Sequence, residues 1–441
     1  NYYRTGGTDS TLSSSVTHAA TSNATMTDSD GNIKWRPHNL LKYSEQFDNA
    51  SWAKSSNVTI TVNDEPSPDG TLTAEKYSVS AATARAVSQA VTLVTGAYTV
   101  SIWFKAIVDT SVVFGTTTDN STFPILAADG WQLISHSFTA VAGSTVFWFY
   151  DVSGVAGDKF YVWGAHAYRS DLGGMVNNPA QSTGLETYVP TTSSAVYLPR
   201  VGHHIYNGSA WVNEGVLHES EVRTNLVIPS LPTVASWGTS APTITENAAT
   251  SPDGSTNATR ATGSGSNSAQ YISENALQTT GIVHTCSVYF KTETAAFLQF
   301  VTSKPANSYV NVNASTLVLG TVGAGASNAI VTDVGNGWAR LSFSYTPDNS
   351  NNVVTAGIIT SATASRLESN PLSTSALFYG YQSEAGSTPS SYIPTLGSAV
   401  TRAAETLTVS AANLPYDSTN MSIQIDGKIT YADTSNNFQM M

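Results

Sequence analysis

The sequence predicts an all-β protein built from tandem β-sandwich modules joined by short β-hairpin connectors. Three observations carry that expectation: polar character comes from uncharged residues, apolar and polar residues alternate over short runs, and one set of landmarks occurs twice. At 441 residues the chain exceeds one ordinary core and suits two or three domains.

Composition comes first. Charged residues make up 11% of the chain, against roughly 25% in an average soluble domain. With 41% hydrophobic and 10% aromatic residues, this is not the charge-rich, aromatic-poor composition of a disordered chain. Ser, Thr, Asn, Ala and Gly take the place of charge. Thr and Val suit a pleated, half-buried surface, and Gly, Asn and Ser suit turns.

The net charge is −12 with 19 Lys and Arg, thinly spread. A nucleic-acid surface needs clustered cations to displace counterions, so nucleic acid is not an expected partner. Cys286 is the one cysteine, which excludes a disulfide framework; its strand-like surroundings predict a buried, inert thiol. No run of apolar residues is long enough for a membrane helix, and membrane insertion is not expected. The start at Asn1 reads as the interior of a longer polypeptide.

The alternation is clearest where Tyr98, Val100, Ile102 and Phe104 interleave with Thr99, Ser101 and Trp103. Val146–Tyr150 and Phe160–Trp163 read as strands buried on both faces. No segment keeps a helical period over three turns, and short strands between turn signals predict a sandwich or jelly roll.

The repeat has an offset of about 185 residues. Asn39-Leu40-Leu41 is matched by Asn225-Leu226-Val227, and Ala50-Ser51-Trp52 by Ala235-Ser236-Trp237. The turn Ser67-Pro68-Asp69-Gly70 returns at Ser251–Gly254, and Thr99–Lys105 returns at Thr285–Lys291. Gly130-Trp131 faces Gly337-Trp338. Tyr188-Val189-Pro190-Thr191 and Ser194–Val196 face Tyr392-Ile393-Pro394-Thr395 and Ser398–Val400. Two modules follow, 39–198 and 225–400. A lead-in with a docking hairpin (1–38) precedes the first, and a connecting hairpin (199–224) the second. Each hairpin carries an Asx-Gly turn, Asp30-Gly31 and Asn207-Gly208, followed by a Trp. Leu198, Val201, Ile205, Tyr206 and Trp211 are apolar enough to pack the second connector rather than leave it loose. Residues 401–441 read as the start of a third β domain or a terminal arm.

These landmarks resemble a family that recurs in tailed-bacteriophage fibre and virion-surface proteins. Its pattern begins Arg-Thr-Asn-Leu, here Arg223–Leu226, and ends Tyr-Ile-Pro-Thr-x-Gly-x-x-Val-Thr-Arg-Ala, here Tyr392–Ala403. The first module departs from it, with Pro37-His38 at the start and Tyr197-Leu198 at the end. The resemblance implies tandem carbohydrate-binding-module-like jelly rolls followed by a laminin-G or concanavalin-like sandwich opening at Glu405. It implies a structural and adhesive role on the virion surface, as a tail fibre or receptor-binding component. Partners would be other copies in a homotrimer, other virion proteins and a host-surface glycan. A capsid decoration or head fibre, or the binding modules of a polysaccharide depolymerase, are the alternatives.

The sequence presents no catalytic constellation: no metal-protease helix, phosphate loop, nucleophile elbow or zinc spacing. His203-His204 are neighbours on a strand and face opposite ways, so a shared metal is not expected. Trp52, Trp131, Trp237 and Trp338 recur between modules and read as core. Trp103, Trp148 and Trp163 have no Trp counterpart; Tyr289, Ala356-Gly357 and Gly380 lie nearby in the second module. These three tryptophans are the carbohydrate-binding candidates. The resemblance also implies a structural calcium, with Glu45, Asp48, Asp69 and Asp151 as oxygen donors. Glu45 and Asp48 lack counterparts in Pro229–Pro232, which favours solvated turn acids and no cofactor.

Overall fold

The computed structural model describes residues 3–5, 8–10 and 16–409. Among them are strands, turns and one short 3-10 turn at Ala127–Asp129, with no α-helix and no helix long and apolar enough to cross a membrane. The predicted fold class is what the chain adopts. The part of the expected third domain beyond Val409 lies outside the described residues.

Two compact units appear. Among the described residues, one comprises Lys34–Arg200 with Ala20–Asn23; the other comprises Ala24–Ile33 and residues 201–409, with residues 16–19. The hairpin around Asp30-Gly31 therefore groups with the second module's unit.

The first module is a sandwich of two five-stranded antiparallel sheets. The first sheet runs Asn120–Ile125, Thr110–Thr116, Gly143–Asp151, Val87–Leu93, Ala53–Lys54; the second runs Trp131–Ala140, Gly96–Ala106, Gly157–Arg169, Ala74–Val79, Val58–Glu65. The alternation read from the sequence sets the faces. Tyr98, Val100, Ile102 and Phe104 enter the core, where they meet Phe114, Phe147, Phe149 and Phe160.

The second module repeats both strand orders, adds an edge strand to each sheet, and pairs a further short strand, Ser369–Asn370, with Ser268–Leu277 of the first. Its first sheet ends in Val318–Val322 and its second in Ser327–Asp333. These strands account for the extra length between Lys291 and Trp338. Its core gathers Val288, Phe290, Phe300, Leu341, Phe343 and Phe378 around Trp237 and Tyr381.

The repeated residues do the same structural work twice. Asn39 Nδ2 donates to the Ala165 and Val189 carbonyls (2.9 and 2.8 Å), and its Oδ1 accepts the Leu41 and Ala167 amides (3.0 and 3.1 Å). Asn225 does likewise with Tyr381, Ile393, Val227 and Ser383. Tyr188 and Tyr392 bond Ser44 and Ser230 at 2.8 and 2.7 Å. Trp52 and Trp237 donate to the carbonyls of Tyr43 and Pro229. Gly70 and Gly254 take φ of 85° and 83°, the left-handed region that a Pro-Asp-Gly turn requires. Entry and exit strands pair in both modules: Asn39 opposite Val196 and Asn225 opposite Val400.

Candidate functional site

The three tryptophans nominated by sequence do not come together. Trp103 and Trp163 project from the second sheet of the first module, 6% and 1% exposed. Their rings are 5.4 Å apart, and Tyr188 lies 5.6 and 4.8 Å from them. The Trp163 indole donates to Thr73 Oγ1 at 3.0 Å. Gly164, at φ 67°, lies so close to Trp103 that an added Cβ would meet the ring at 2.9 Å. Burial leaves neither ring a face for a sugar, which corrects the sequence assignment for these two. The second module builds the same cluster from Tyr289, Tyr379 and Tyr392, with centroids 5.4–6.2 Å apart. Strand register thus makes Tyr379, rather than Gly380, the counterpart of Trp163. An element present in both modules belongs to the architecture.

Trp148 is different. On Gly143–Asp151, Phe147, Phe149 and Asp151 point inward, so Trp148 and Tyr150 point outward. Their rings form an edge-to-face pair at 5.2 Å. The Arg85 guanidinium lies 5.5 Å from the Tyr150 ring centre. Val113 and Gly115 sit across from them on Thr110–Thr116, and the flanking Ala90, Thr92, Asn120 and Thr122 are exposed. The half-buried Trp148 has a buried indole N–H with no hydrogen-bond partner. Buried donors are almost always satisfied, and this one is an exception.

The same face of the second module is occupied. Phe114 and Phe300 hold matching positions, so register puts Thr355 where Trp148 stands and Gly357 where Tyr150 stands. Gln299 replaces Val113. Its side chain donates to the Ser365 carbonyl (3.1 Å) and accepts the Leu367 amide (2.6 Å). Asn311 donates to the Ala362 and Ala364 carbonyls at 3.1 and 2.9 Å. Residues 362–367 are thereby tied to this face. Sequence reading missed that cover, because its anchors are two neutral amides far apart in the chain.

The acids considered for calcium are engaged elsewhere. Glu45 accepts Tyr188 Oη at 2.8 Å. Asp69 binds Ser67 and Thr71 within its own turn, and these bonds leave its carboxyl below the usual range despite the opposing effect of burial. Asp151 accepts Thr110, Ser153 and the Gly154 amide. Near Asp48, four backbone carbonyls (Phe47, Asp48, Asn49 and Trp52) converge on the Lys54 ammonium at 2.8–3.1 Å. The buried Glu75 accepts the Phe47 and Asp48 amides, and burial pushes its carboxyl up to about 8. A lysine fills the ordering role expected of a metal. Among the described residues no three His, Cys, Asp or Glu side chains gather as metal ligands.

His203 accepts the Thr27 amide at its Nδ1 (3.2 Å), and His204 Nδ1 donates to the Gly202 carbonyl (2.8 Å). Cys286 is buried, and burial pushes its thiol up to about 12.

No protein-family model matches the sequence, and no curated protein matches it. Among solved structures, the tandem CBM22-1–CBM22-2 domain of Paenibacillus barcinonensis Xyn10C is 9% identical, with a TM-score of 0.27 over 83% of this chain and 100% of that one. The tandem CBM51 modules of a Streptococcus pneumoniae family 98 glycoside hydrolase are 8% identical (TM-score 0.21; 84% and 100% covered). A domain of bacteriophage CBA120 tailspike protein 4 is 18% identical (TM-score 0.24; 30% of this chain, 21% of that one). Likeness at this level assigns no ligand.

Proposed function

We propose that this chain is a structural and adhesive protein of a tailed-phage virion surface, a tail fibre or receptor-binding component, that holds a host glycan on its first module. One observation carries the glycan reading: an outward Trp148–Tyr150 pair with Arg85 alongside and an unpaired indole N–H. Aromatic rings offer an apolar face to the carbon side of a sugar ring, while the indole N–H and guanidinium offer donors to its hydroxyls. The second module, with Thr355 and Gly357 at those positions and 362–367 across the face, serves as scaffold. The virion setting rests on the sequence landmarks from Arg223–Leu226 to Tyr392–Ala403. The chain is read as non-catalytic and homotrimeric, since a threefold closes without an open sticky surface.

The test is binding of purified protein to host capsule and lipopolysaccharide preparations. Wild type should bind, and Trp148→Ala should weaken binding about tenfold or more, near 1.4 kcal/mol, with its melting temperature almost unchanged. Equal binding by the variant would remove the site. Release of new reducing ends from the polysaccharide would replace the adhesive reading with a depolymerase.

A further inference from the structure

What recurs between the modules is architecture, so a charged residue present in only one of them invites a separate explanation. Arg340 lies opposite Tyr289, where the first module has Leu133 opposite Trp103. Its guanidinium is 5.2 Å from the Tyr289 ring centre. Its Nη2 donates to Ser287 Oγ (2.8 Å) and to the Ser390 carbonyl (2.9 Å). Its Nε is buried and has no partner.

Arg340 lines a cavity of about 420 Å³, a size usual for small-ligand sites, roughly 300–1,000 Å³. One wall is the outer face of the second module's second sheet, with Ser342 and Ser344 beside Arg340. The other is the connecting hairpin Arg200–Tyr206 and Trp211–Leu217, which contributes His203, Ile205 and Trp211. The acids around it are committed. Glu219 faces Arg402 at 3.3 Å and accepts the Ser391 amide and hydroxyl. Asp333 accepts the Gly335 amide. Glu384 is buried under bonds from Gln382 and Ser390. The cavity therefore combines a cation short of one acceptor, hydroxyl side chains and an indole wall.

We propose that this cavity binds one acidic sugar residue, its carboxylate on Arg340, its hydroxyls toward Ser342 and its carbon face toward Trp211. A guanidinium suits a carboxylate because its planar N–H groups match the two oxygens. The hydroxyls and indole favour a sugar acid over a simple aliphatic acid. This site stands apart from the Trp148 face.

The experiment is calorimetric titration of the whole chain with D-glucuronate and, separately, D-glucose and acetate. The expected result is saturable glucuronate binding, about tenfold tighter than glucose or acetate. Arg340→Gln should abolish the preference, and Arg340→Lys should keep part of it. Absence of saturable glucuronate binding at millimolar concentration, or equal binding of the three probes, overturns the proposal. So does an unaltered preference in Arg340→Gln. Should Arg340→Gln unfold, Ser342→Ala and the salt dependence of wild-type binding decide: a salt-insensitive, Ser342-independent interaction is not this site.

Discussion

Asn39 and Asn225 show how much one neutral side chain can organise. Each amide makes all four of its hydrogen bonds to backbone groups of the last long strand, the exit segment and the entry strand. Replacing either by Ala strands buried donors and acceptors at once, so each substitution should cost about 3–5 kcal/mol. Denaturant titration should show the loss confined to the module carrying the change. Titration is also residue-specific. Burial lowers His38 to about 3 and His166 to about 4; Arg36 and Arg169 also disfavour the charged form of His38. His38 accepts the Arg169 amide at Nε2 and donates to the Arg36 carbonyl from Nδ1, while His166 Nε2 donates to the His38 carbonyl. The unfolded chain takes up these protons near pH 6.5 and the folded one does not. Each pH unit below that should therefore cost roughly 1.4 kcal/mol per histidine until the folded values are reached. Glu75, raised to about 8, and Glu45, raised by burial, work in the opposite direction, while Asp69 and Asp151, held low by hydrogen bonds, work with the two imidazoles. Melting scans from pH 7 to 4 check this. His166→Gln, the residue at matched position 382, should flatten the dependence.

Loops and edge strands are where the modules part company. Lys54 gathers four carbonyls around residues 47–52, so Lys54→Met should destabilise the first module by about 1–2 kcal/mol, while a chelator leaves its melting temperature unchanged. In the second module, Gln299→Ala removes two ties on residues 362–367 together with the Asn311 contact at 2.8 Å. Limited proteolysis should then cut within 360–368 before anywhere else in that module; an intact loop would mean that Asn311 alone holds it. The sequence made the strands legible because alternation marks a sheet face directly: Tyr98 to Phe104 read correctly residue by residue. It did not reveal Val318–Val322 and Ser327–Asp333, edge strands in which Val318, Val322 and Ile330 face outward, so that apolar residues there do not mark one face.

At the scale of the chain, the two modules have separate hydrophobic cores, so two unfolding transitions are expected, with only the first module's strongly shifted by acid. Sedimentation at micromolar concentration tests the trimer; a clean monomer would count against a fibre. The aromatic candidates show the limit of sequence reasoning. Trp103, Trp148 and Trp163 look alike in a list of tryptophans, and only strand register separates the two inside a cluster from the one facing outward. Trp211 shows the converse. Its lodging against Gly31 and Gly335, where an added Cβ would meet the indole at 2.0 and 2.4 Å, joins segments about 120 to 300 residues apart that no local pattern links.

The pairing of entry with exit strands has a mechanical consequence. In both modules the chain enters and leaves side by side and antiparallel: two register pairs, His38–Asn39 with Val196–Tyr197, close the first. Three, Arg223–Asn225 with Val400–Arg402, close the second. Tension along the polypeptide peels such a clasp one rung at a time instead of shearing all its bonds together. Load on the thread is thus spent opening short zips before it reaches the sandwich behind them, and the two-rung zip should open at lower force than the three-rung one.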